Sequence, residues 1–366
     1  MLISIIAGSF NDEGGKASGW AEKFFKISQS SFDKEFIYQF VNGGETSLLD
    51  WLIQDFIKIK PDVIIWMADV PNDKPKLVKN IKELLPHSLL VTSKRNLDES
   101  YSLQDLVSRA LSIKSNLILE FTGDRSSIQS SIYDPLGNCF IFKSKDINEV
   151  SKNLFNRLRT LKSVARVKSY SIGNKIDVPV TNEINNFMEL IKEQAERFHE
   201  IIHGVNTERM LGNASFRCAR GFPSFRNQNL VFVSQRNIDK RYISPDAFVA
   251  CSLHGGDNVN YFGDIKPSVD APVQIKLYNY YKNINYMLHS HTYIEDGLLT
   301  KDVLPCGAIE EFDQIIKEVP NPNVNRFYIN IRGHGSIVLA SNIELLKETK
   351  WIARPSPEFF DITTTI

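Results

Sequence analysis

The first 165 residues alternate short apolar runs with segments of helical periodicity. Runs such as Leu2 to Ala7, Val63 to Met67 and Asn116 to Phe121 have the length and composition of buried strands. Between them, Ser102 to Ile113 and Ile147 to Leu161 place apolar residues three and four positions apart, as one face of a helix requires. Alternating strands and helices form βαβ units, so this part predicts an N-terminal Rossmann-like α/β domain with a doubly wound, mostly parallel sheet.

A second α/β pattern begins at residue 182. Apolar residues first recur at helical spacing, and strand-like runs such as Tyr286 to His291 alternate with helices such as Ala271 to Tyr281. Residues 166–181 carry mixed charges without a clear period. We therefore predict domains at 1–165 and 182–366, joined by a linker at 166–181.

The charge balance and the cysteine spacing limit which partners and which cellular environment are expected. Lys and Arg total 43, as do Asp and Glu, so no overall positive field attracts nucleic acid or anionic membranes. No apolar run approaches the roughly 18 residues of a membrane-spanning helix. The four cysteines lack a CxxC spacing, which suits reduced thiols. We expect a cytoplasmic protein that acts on a small molecule, without a nucleic-acid or membrane partner.

Glycine-rich turns and an aspartate follow three of the predicted N-terminal strands. The carboxyl ends of parallel strands are where α/β sheets bind their ligands. The turn after the first strand lacks the P-loop spacing, because Ala17 rather than Ser or Thr follows Lys16. Its backbone N–H groups suit a phosphate, although an ordinary tight turn is an equal alternative. The candidate residues for a bound phosphate or nucleotide are Gly8, Ser9, Gly43, Gly44 and Asp69.

Three histidines in the second half have a spacing that suits a metal ion. His289 and His291 are two positions apart in a strand-like run, so both imidazoles project to the same face. His334 lies between two glycines within the run Phe327 to Leu339, which is predicted to be one strand. Three imidazoles without a cysteine ligand leave coordination positions open, as in catalytic zinc sites. The alternative is a solvated or hydrogen-bonded histidine pair.

Six short motifs follow one another between residues 182 and 350. They are Gly212-Asn213-Ala214-Ser215-Phe216-Arg217, Ile243-Ser244-Pro245, Lys266-Pro267-Ser268-Val269-Asp270, His289-Ser290-His291, Leu304-Pro305-Cys306 and Gly333-His334-Gly335. Together they resemble the class II aldolase/adducin family. That family includes fuculose-phosphate aldolase, ribulose-phosphate 4-epimerase and methylthioribulose-phosphate dehydratase.

The resemblance implies a divalent metal ion, Zn²⁺ foremost, held by His289, His291 and His334. In the family's aldolases such an ion stabilises an enediolate while a carboxylate moves the proton. Asp270 stands at the position of that carboxylate. The alternative role of Asp270 is that of a helix N-cap before Ala271.

The family's substrate-binding positions are matched in part. Asn213 and Ser268 stand at two of them, whereas Asp246-Ala247 replaces a Thr-Gly pair of the phosphate pocket. A carboxylate at that place would repel a phosphate. Arg217 is a further candidate to hold an anionic substrate group, although surface arginines are the usual case.

The resemblance implies a metal-dependent lyase, epimerase or dehydratase of carbohydrate metabolism, which acts on a sugar-like hydroxy-carbonyl compound. It also implies a homo-oligomer, because family members assemble as tetramers. The alternative is a binding or scaffold protein with a degenerate aldolase-like domain, as in adducin. The retained histidines favour the enzyme.

Residues 1–165 have a fainter similarity to the phosphopantothenate-cysteine ligase fold, which is flavoprotein-like. The similarity rests on Asn42-Gly43-Gly44, Met67-Ala68-Asp69-Val70 and Asn116-Leu117-Ile118-Leu119-Glu120-Phe121. It implies the fold and a bound nucleotide, not ligase activity.

Overall fold

The computed structural model describes residues 1–9, 16–32, 34–42, 54–69, 76–124, 127–164, 167–201, 212–217 and 230–360. These residues form two compact units. The first comprises the described residues of Met1–Lys162 and of Ser356–Ile366, and the second those of Ser163–Pro355. No helix among the described residues is long and apolar enough to cross a membrane.

An eight-stranded sheet forms the centre of the first unit. Its strands, numbered in chain order, are β1 (Leu2–Ser9), β2 (Glu35–Asn42), β3 (Val63–Trp66), β4 (Leu89–Arg95), β5 (Leu117–Thr122), β6 (Gln129–Tyr133), β7 (Asn138–Ser144) and β19 (Glu358–Phe359). Their order across the sheet is β19-β7-β6-β5-β4-β3-β1-β2. Strands β1 to β5 are parallel, and β6 is antiparallel to both neighbours. The order β2-β1-β3-β4-β5 is that of flavodoxin-like doubly wound sheets.

Helices follow several of these strands. They are α1 (Gly19–Ser31), α2 (Lys76–Leu84), α3 (Leu103–Ser112) and α4 (Ile147–Val164). Helix α3 begins with a reciprocal cap. Ser102 Oγ accepts a hydrogen bond from Asp105 N at 3.2 Å, and the Asp105 carboxylate accepts one from Ser102 N at 2.9 Å. The predicted mixed α/β class is confirmed.

A nine-stranded sheet forms the centre of the second unit. Its strands are β8 (Ser169–Ser171), β9 (Asn213–Arg217), β10 (Val231–Ser234), β11 (Phe248–His254), β12 (Asn258–Tyr261), β13 (Tyr286–Ser290), β15 (Leu298–Leu299), β16 (Arg326–Ile331) and β17 (Gly335–Ala340). Their order is β15-β16-β17-β13-β9-β10-β11-β12-β8. Neighbouring strands are antiparallel except at the two edges of the sheet. There β15 is parallel to β16, and β8 is parallel to β12. Strand β8, inside the segment predicted as a linker, pairs with β12.

Helices pack on both faces of this second sheet. They are α5 (Asn182–Ile201), α6 (Ala271–Tyr280), α7 (Glu310–Glu318) and the short α8 (Glu344–Lys347), and a separate strand pair joins β14 (Tyr293–Ile294) to β18 (Trp351–Ile352). Side chains alternate between the faces along each strand. Val231 and Val233 join a core cluster with Ile275 of α6, whereas Phe232 joins a cluster with Phe187 of α5.

The centre of this sheet brings distant parts of the chain together. Strand β13 lies between β9 and β17, so His289 is paired with Asn213 on one side and with Ile337 on the other. Strands β16 and β17 form a hairpin whose turn lies beside the end of β13. The predicted continuous strand from Phe327 to Leu339 is wrong, because Gly333-His334-Gly335 reverses the chain. This reversal places His334 at the tip of the hairpin.

The C-terminal segment returns to the first unit. Glu358 pairs with Asn138 and Phe359 with Cys139, which places β19 at the edge of the first sheet. The sequence analysis assigned these residues to 182–366. Two-residue strands have no periodicity of their own, so the sequence does not indicate this pairing.

Candidate metal centre

Close backbone packing holds the three histidines of the second unit in place. His289 lies in β13, His291 follows its end, and His334 lies in the turn before β17. Gly335 has a φ of 152°, and a Cβ atom there would lie 2.0 Å from the carbonyl oxygen of Ser290. Only glycine allows the hairpin turn to approach β13 this closely.

The three imidazoles converge on one point. Their ring centroids are 4.7 to 5.1 Å apart, and one ring nitrogen from each lies within 4.8 Å of the other two. Among the described residues, three buried ring nitrogens have no hydrogen-bond partner: Nε2 of His289, Nδ1 of His291 and Nε2 of His334. Unpaired buried polar atoms are costly, and a shared divalent ion would satisfy all three.

The opposite nitrogens of two rings are held by the protein. The carbonyl oxygen of Ser336 lies 2.9 Å from Nδ1 of His289, and a carboxylate oxygen of Glu311 lies 2.7 Å from Nδ1 of His334. Both oxygens accept, so each Nδ1 carries a proton, and in the neutral form of either ring the lone pair lies on Nε2. Such contacts orient the ligands of metal sites.

Burial changes the protonation of the imidazoles. Desolvation and the neighbouring His334 lower the pKa of His289 to about 4, and burial and the other two rings hold the pKa of His291 well below its usual value. Both rings are therefore neutral at neutral pH. Burial also opposes charge on His334, but Cys306 and Glu311 raise its pKa well above the usual value. A metal ion that binds His334 must displace this proton.

Asp270 occupies the N-cap position of α6, but its side chain makes no capping hydrogen bond. Its Oδ2 atom lies 4.0 Å from Nε2 of His289. Asn213 Nδ2 at 2.7 Å and Ser268 Oγ at 3.2 Å donate to the same oxygen. Its Oδ1 atom is buried and has no hydrogen-bond partner in the described part of the chain. The structure thus brings the predicted residues Asn213, Ser268 and Asp270 together beside His289.

Part of the second unit matches a known protein family. Residues 193–295 match the family model described as Class II Aldolase and Adducin N-terminal domain. The second unit is therefore aldolase-like over these residues. The match includes Asp270, His289 and His291 and ends before His334, and it confirms the resemblance over those residues.

Two solved structures are similar to the chain at low identity. The DNA/pantothenate metabolism flavoprotein from Streptococcus pneumoniae is 10% identical with a TM-score of 0.29, covering 43% of this chain and 97% of that one. YgbL from Klebsiella pneumoniae, described with the alternatives aldolase, epimerase or decarboxylase, is 12% identical with a TM-score of 0.28, covering 44% and 83%. Such low TM-scores establish no shared fold. No curated protein sequence matches the chain.

Two cations that act electrostatically on His291 lie outside every sequence motif. Lys240 is only 7% exposed, lies in the short 3-10 turn Lys240–Tyr242 and has its pKa lowered to about 8 by burial. Arg354 donates from Nη1 to the carbonyl oxygen of His334 at 3.2 Å. The positive charges of both residues contribute to the low pKa of His291. The sequence analysis missed them because neither lies in a motif.

Arg217 and Asp246, which the sequence analysis considered at substrate-binding positions, lie away from the three histidines. Arg217, four residues beyond Asn213 along β9 and so roughly 13 Å away, donates to the carbonyl oxygens of Tyr278 at 3.0 Å and of Lys282. These contacts hold the carboxyl end of α6. Asp246 is exposed and pairs with Lys175 at 2.6 Å, so its carboxylate is not buried with the histidines.

The N-terminal candidate residues lie at the carboxyl ends of β1 and β3. Ser9 and Asp69 form a bridge between these ends, and the exposed Asp69 pairs with Arg95 at 3.0 Å. Gly8 has a φ of 114°, and a Cβ atom there would lie 1.9 Å from the Val41 carbonyl oxygen, so the packing of β1 against β2 requires this glycine. Gly43 and Gly44 lie outside the described residues.

A cavity of about 810 Å³ opens at the same end of the sheet. Among the described residues, its lining includes basic side chains, an indole ring and small hydroxyl side chains, but no carboxylate. Its basic side chains are Lys16, Lys23, Arg95 and Lys145, its indole ring is that of Trp20, and Ser93 is one of its hydroxyl side chains. Of these, Lys23 and Trp20 belong to α1.

Proposed function

We propose that the second unit is a metal-dependent enzyme of the class II aldolase type. It would act as a lyase, epimerase or dehydratase on a sugar-like hydroxy-carbonyl compound. The observation that supports this best is the set of three converging, unpaired imidazole nitrogens beside the Asp270 carboxylate.

His289, His291 and His334 would hold the ion, because neutral nitrogen ligands in this number suit Zn²⁺ and leave a position for substrate. When bound, a divalent ion supplies Lewis-acid stabilisation of negative charge on substrate oxygens. Ser336 and Glu311 fix two of the rings in the orientation that this binding needs.

Asp270 would move the proton. Asn213 and Ser268 both donate to its Oδ2 atom, which leaves Oδ1 to accept a proton from the carbon next to the substrate carbonyl. The same contacts fix the direction in which the carboxylate points. A held and buried carboxylate loses little entropy when it reacts.

Metal content tests the first part of the proposal. Protein purified without chelator and equilibrated with Zn²⁺ is expected to retain about one ion per chain. The His289→Ala/His291→Ala double variant should lose it, whereas a variant at the exposed His254, His254→Ala, should retain it. Folded wild-type protein that holds no ion contradicts the proposal.

Proton transfer is tested separately by nuclear magnetic resonance in D₂O. The zinc-loaded protein should exchange the carbon-bound protons of dihydroxyacetone, and Asp270→Asn should slow this exchange by roughly 10²- to 10⁴-fold while it retains the metal. A fully metal-loaded protein that exchanges no hydroxy-carbonyl probe would favour the scaffold interpretation.

We propose a second function for the first unit, namely binding of a phosphorylated ligand such as a nucleotide in the basic cavity. The described lining carries four cations and no carboxylate. Arg95 is paired with Asp69, but the three lysines favour an anionic ligand, and Trp20 offers a ring for stacking. ATP binding should weaken with rising salt. Lys23→Ala should weaken it about tenfold, whereas Lys26→Ala on the same helix should not. Equal ATP binding by both variants would contradict the assignment.

A further inference from the structure

Gln274 lies one helical turn after Asp270 on α6 and contacts a residue that holds the Asp270 carboxylate. Its backbone N donates to the carbonyl oxygen of Asp270 at 3.0 Å, which is the pairing of an α-helix. Residues four positions apart lie on the same helix face. The Gln274 side chain is only 1% exposed, and its Nε2 atom donates to Oδ1 of Asn213.

The contact with Gln274 fixes the direction of the Asn213 amide. Nδ2 of Asn213 donates to Oδ2 of Asp270 at 2.7 Å and to Oγ of Ser268 at 3.1 Å, while its oxygen accepts from Gln274. A reversed amide would turn its oxygen towards the Asp270 carboxylate and its NH₂ group towards that of Gln274, and both contacts would be repulsive. The donors of Asn213 therefore point towards Asp270 and Ser268.

Ser268 completes the hydrogen-bond network around the carboxylate. Its hydroxyl donates to Oδ2 of Asp270 at 3.2 Å, and its Oγ atom accepts from the backbone N of Asp270 at 3.4 Å. Two donors thus meet at one carboxylate oxygen, while Oδ1 is buried and has no partner among the described residues. One oxygen is held in place and the other can accept a proton, as a general base requires.

The amide of Gln274 contributes little to the stability of the fold. Its own oxygen, Oε1, is buried and has no hydrogen-bond partner in the part of the chain that the structure describes. A buried acceptor without a donor costs free energy, and this cost offsets the gain from the hydrogen bond to Asn213. An apolar side chain of the same length would therefore stabilise the fold about equally well. The contact of Nε2 with Asn213 gives this amide a use that stability does not.

We propose that Gln274 is a positioning residue for the proposed reaction and directs the Asp270 carboxylate through Asn213. Gln274 acts through two hydrogen bonds in series and does not itself contact the substrate or the metal ion. This inference rests on the proposed function, because it presupposes that Asp270 moves the substrate proton. A residue that only orients the base should affect the maximal rate and leave substrate binding unchanged.

The test compares Gln274→Met with the wild type, each as the full chain. Methionine is also unbranched but has no donor for Asn213. With Zn²⁺ bound, proton exchange of saturating dihydroxyacetone in D₂O should slow about tenfold, which corresponds to one hydrogen bond. The KM for dihydroxyacetone and the zinc content should not change. The thermal midpoint of the metal-free protein should not fall, because the variant also removes the unpaired Oε1 atom.

Three further variants assign the effect to the hydrogen bond and to Asp270. Gln274→His restores a donor, since Nε2 lies equally many bonds from Cα in both side chains, and should recover most of the rate. Asn279→Met removes an exposed amide from the same helix and should exchange protons like the wild type. In an Asp270→Asn background, Gln274→Met should slow exchange no further, because a residue that acts through Asp270 has no effect once that base is lost.

The outcomes separate this inference from the proposed function. A wild-type protein that binds no zinc, or that binds zinc and exchanges no protons, overturns the proposed function and this inference with it. Exchange by Gln274→Met at the wild-type rate overturns this inference alone. A Gln274→Met variant that loses zinc or has a lower thermal midpoint would show a structural role and also overturn it. A tenfold loss that persists in the Asp270→Asn background would do the same.

Discussion

A carboxylate oxygen of Glu311 lies 2.7 Å from Nδ1 of His334, and both side chains are buried. The contact turns Nε2 of His334 towards the other two imidazoles and fixes its tautomer. Removal of such a partner typically costs 10- to 100-fold in metal affinity. Glu311→Ala should therefore weaken Zn²⁺ binding by about this factor, as measured by competition with a chromophoric chelator.

Two further variants separate orientation from charge. Glu311→Gln retains an oxygen that can accept from Nδ1, so its loss of affinity should be smaller. Glu318→Ala removes an exposed carboxylate from the same helix, α7, and should bind Zn²⁺ like the wild type. Equal affinities for all three variants would show that Glu311 does not orient His334.

Asp270→Asn should separate catalysis from metal binding. The variant keeps the size of the side chain but cannot accept the substrate proton as a carboxylate does. General-base catalysis contributes roughly 10²- to 10⁴-fold to a rate, so proton exchange of dihydroxyacetone should fall by that range. Zinc content should stay near that of the wild type. A variant that keeps full exchange would remove Asp270 from the proposed chemistry.

The sequence predicts the spacing of the histidines better than it predicts the residues that surround them. The two-residue separation of His289 and His291 fixes them on one strand face, which is a local property. His334 was predicted in a strand, although its flanking glycines are typical of a turn. Glu311, Lys240 and Arg354 reach the site only through the packing of α7, a short turn and the segment after β18. No local pattern marks such contacts.

Metal removal should lower the stability of the second unit. An ion that binds only the folded state raises its free energy of unfolding by about 4 kcal/mol when the ion is present at 1,000 times its Kd. A chelator should therefore lower the unfolding temperature seen by calorimetry. The His289→Ala/His291→Ala variant should show no response to chelator. An equal response in that variant would place the stabilising ion elsewhere.

Gly335→Ala should damage the site through the backbone. The new Cβ atom would lie 2.0 Å from the Ser290 carbonyl oxygen and 2.7 Å from Cα of His291. The hairpin must then move away from β13, which separates His334 from the other ligands. We expect a loss of about 3 kcal/mol or more in unfolding free energy and weaker Zn²⁺ binding. Gly256→Ala is the comparison, because its φ of 72° gives similar backbone strain while the new Cβ atom meets no atom within 4 Å.

The first unit should lose stability at low pH through Asp62. Burial alone would raise the pKa of Asp62, but hydrogen bonds from Lys162 and Leu2 N and the charge of Lys162 hold it below its usual value. A carboxylate whose pKa is lower in the folded state stabilises the fold at pH values above its pKa in the unfolded state, about 3.9. This contribution disappears as the pH falls through its pKa in the folded state. Asp62→Asn should therefore lower the thermal midpoint by more at pH 7 than at pH 2.

An exposed carboxylate provides the reference for this pH profile. Glu83 pairs with Lys114 at 3.4 Å on the surface, and surface pairs contribute little. Glu83→Gln should match the wild type at both pH values. If the thermal midpoints of Asp62→Asn and the wild type differ by the same amount at every pH, ionisation of Asp62 does not cause the difference.

Because β19 pairs with β7, the second unit is an insertion within the chain of the first. A fragment that stops at Lys162 lacks β19 and leaves β7 as an open edge, without the contacts of Phe359 and Phe360 to Phe142 and Phe140. Such a fragment should associate edge to edge. Excision of Ser163–Pro355, with residue 162 rejoined to the tail by a flexible linker, restores the complete sheet and gives the proper form in which to study the first unit alone.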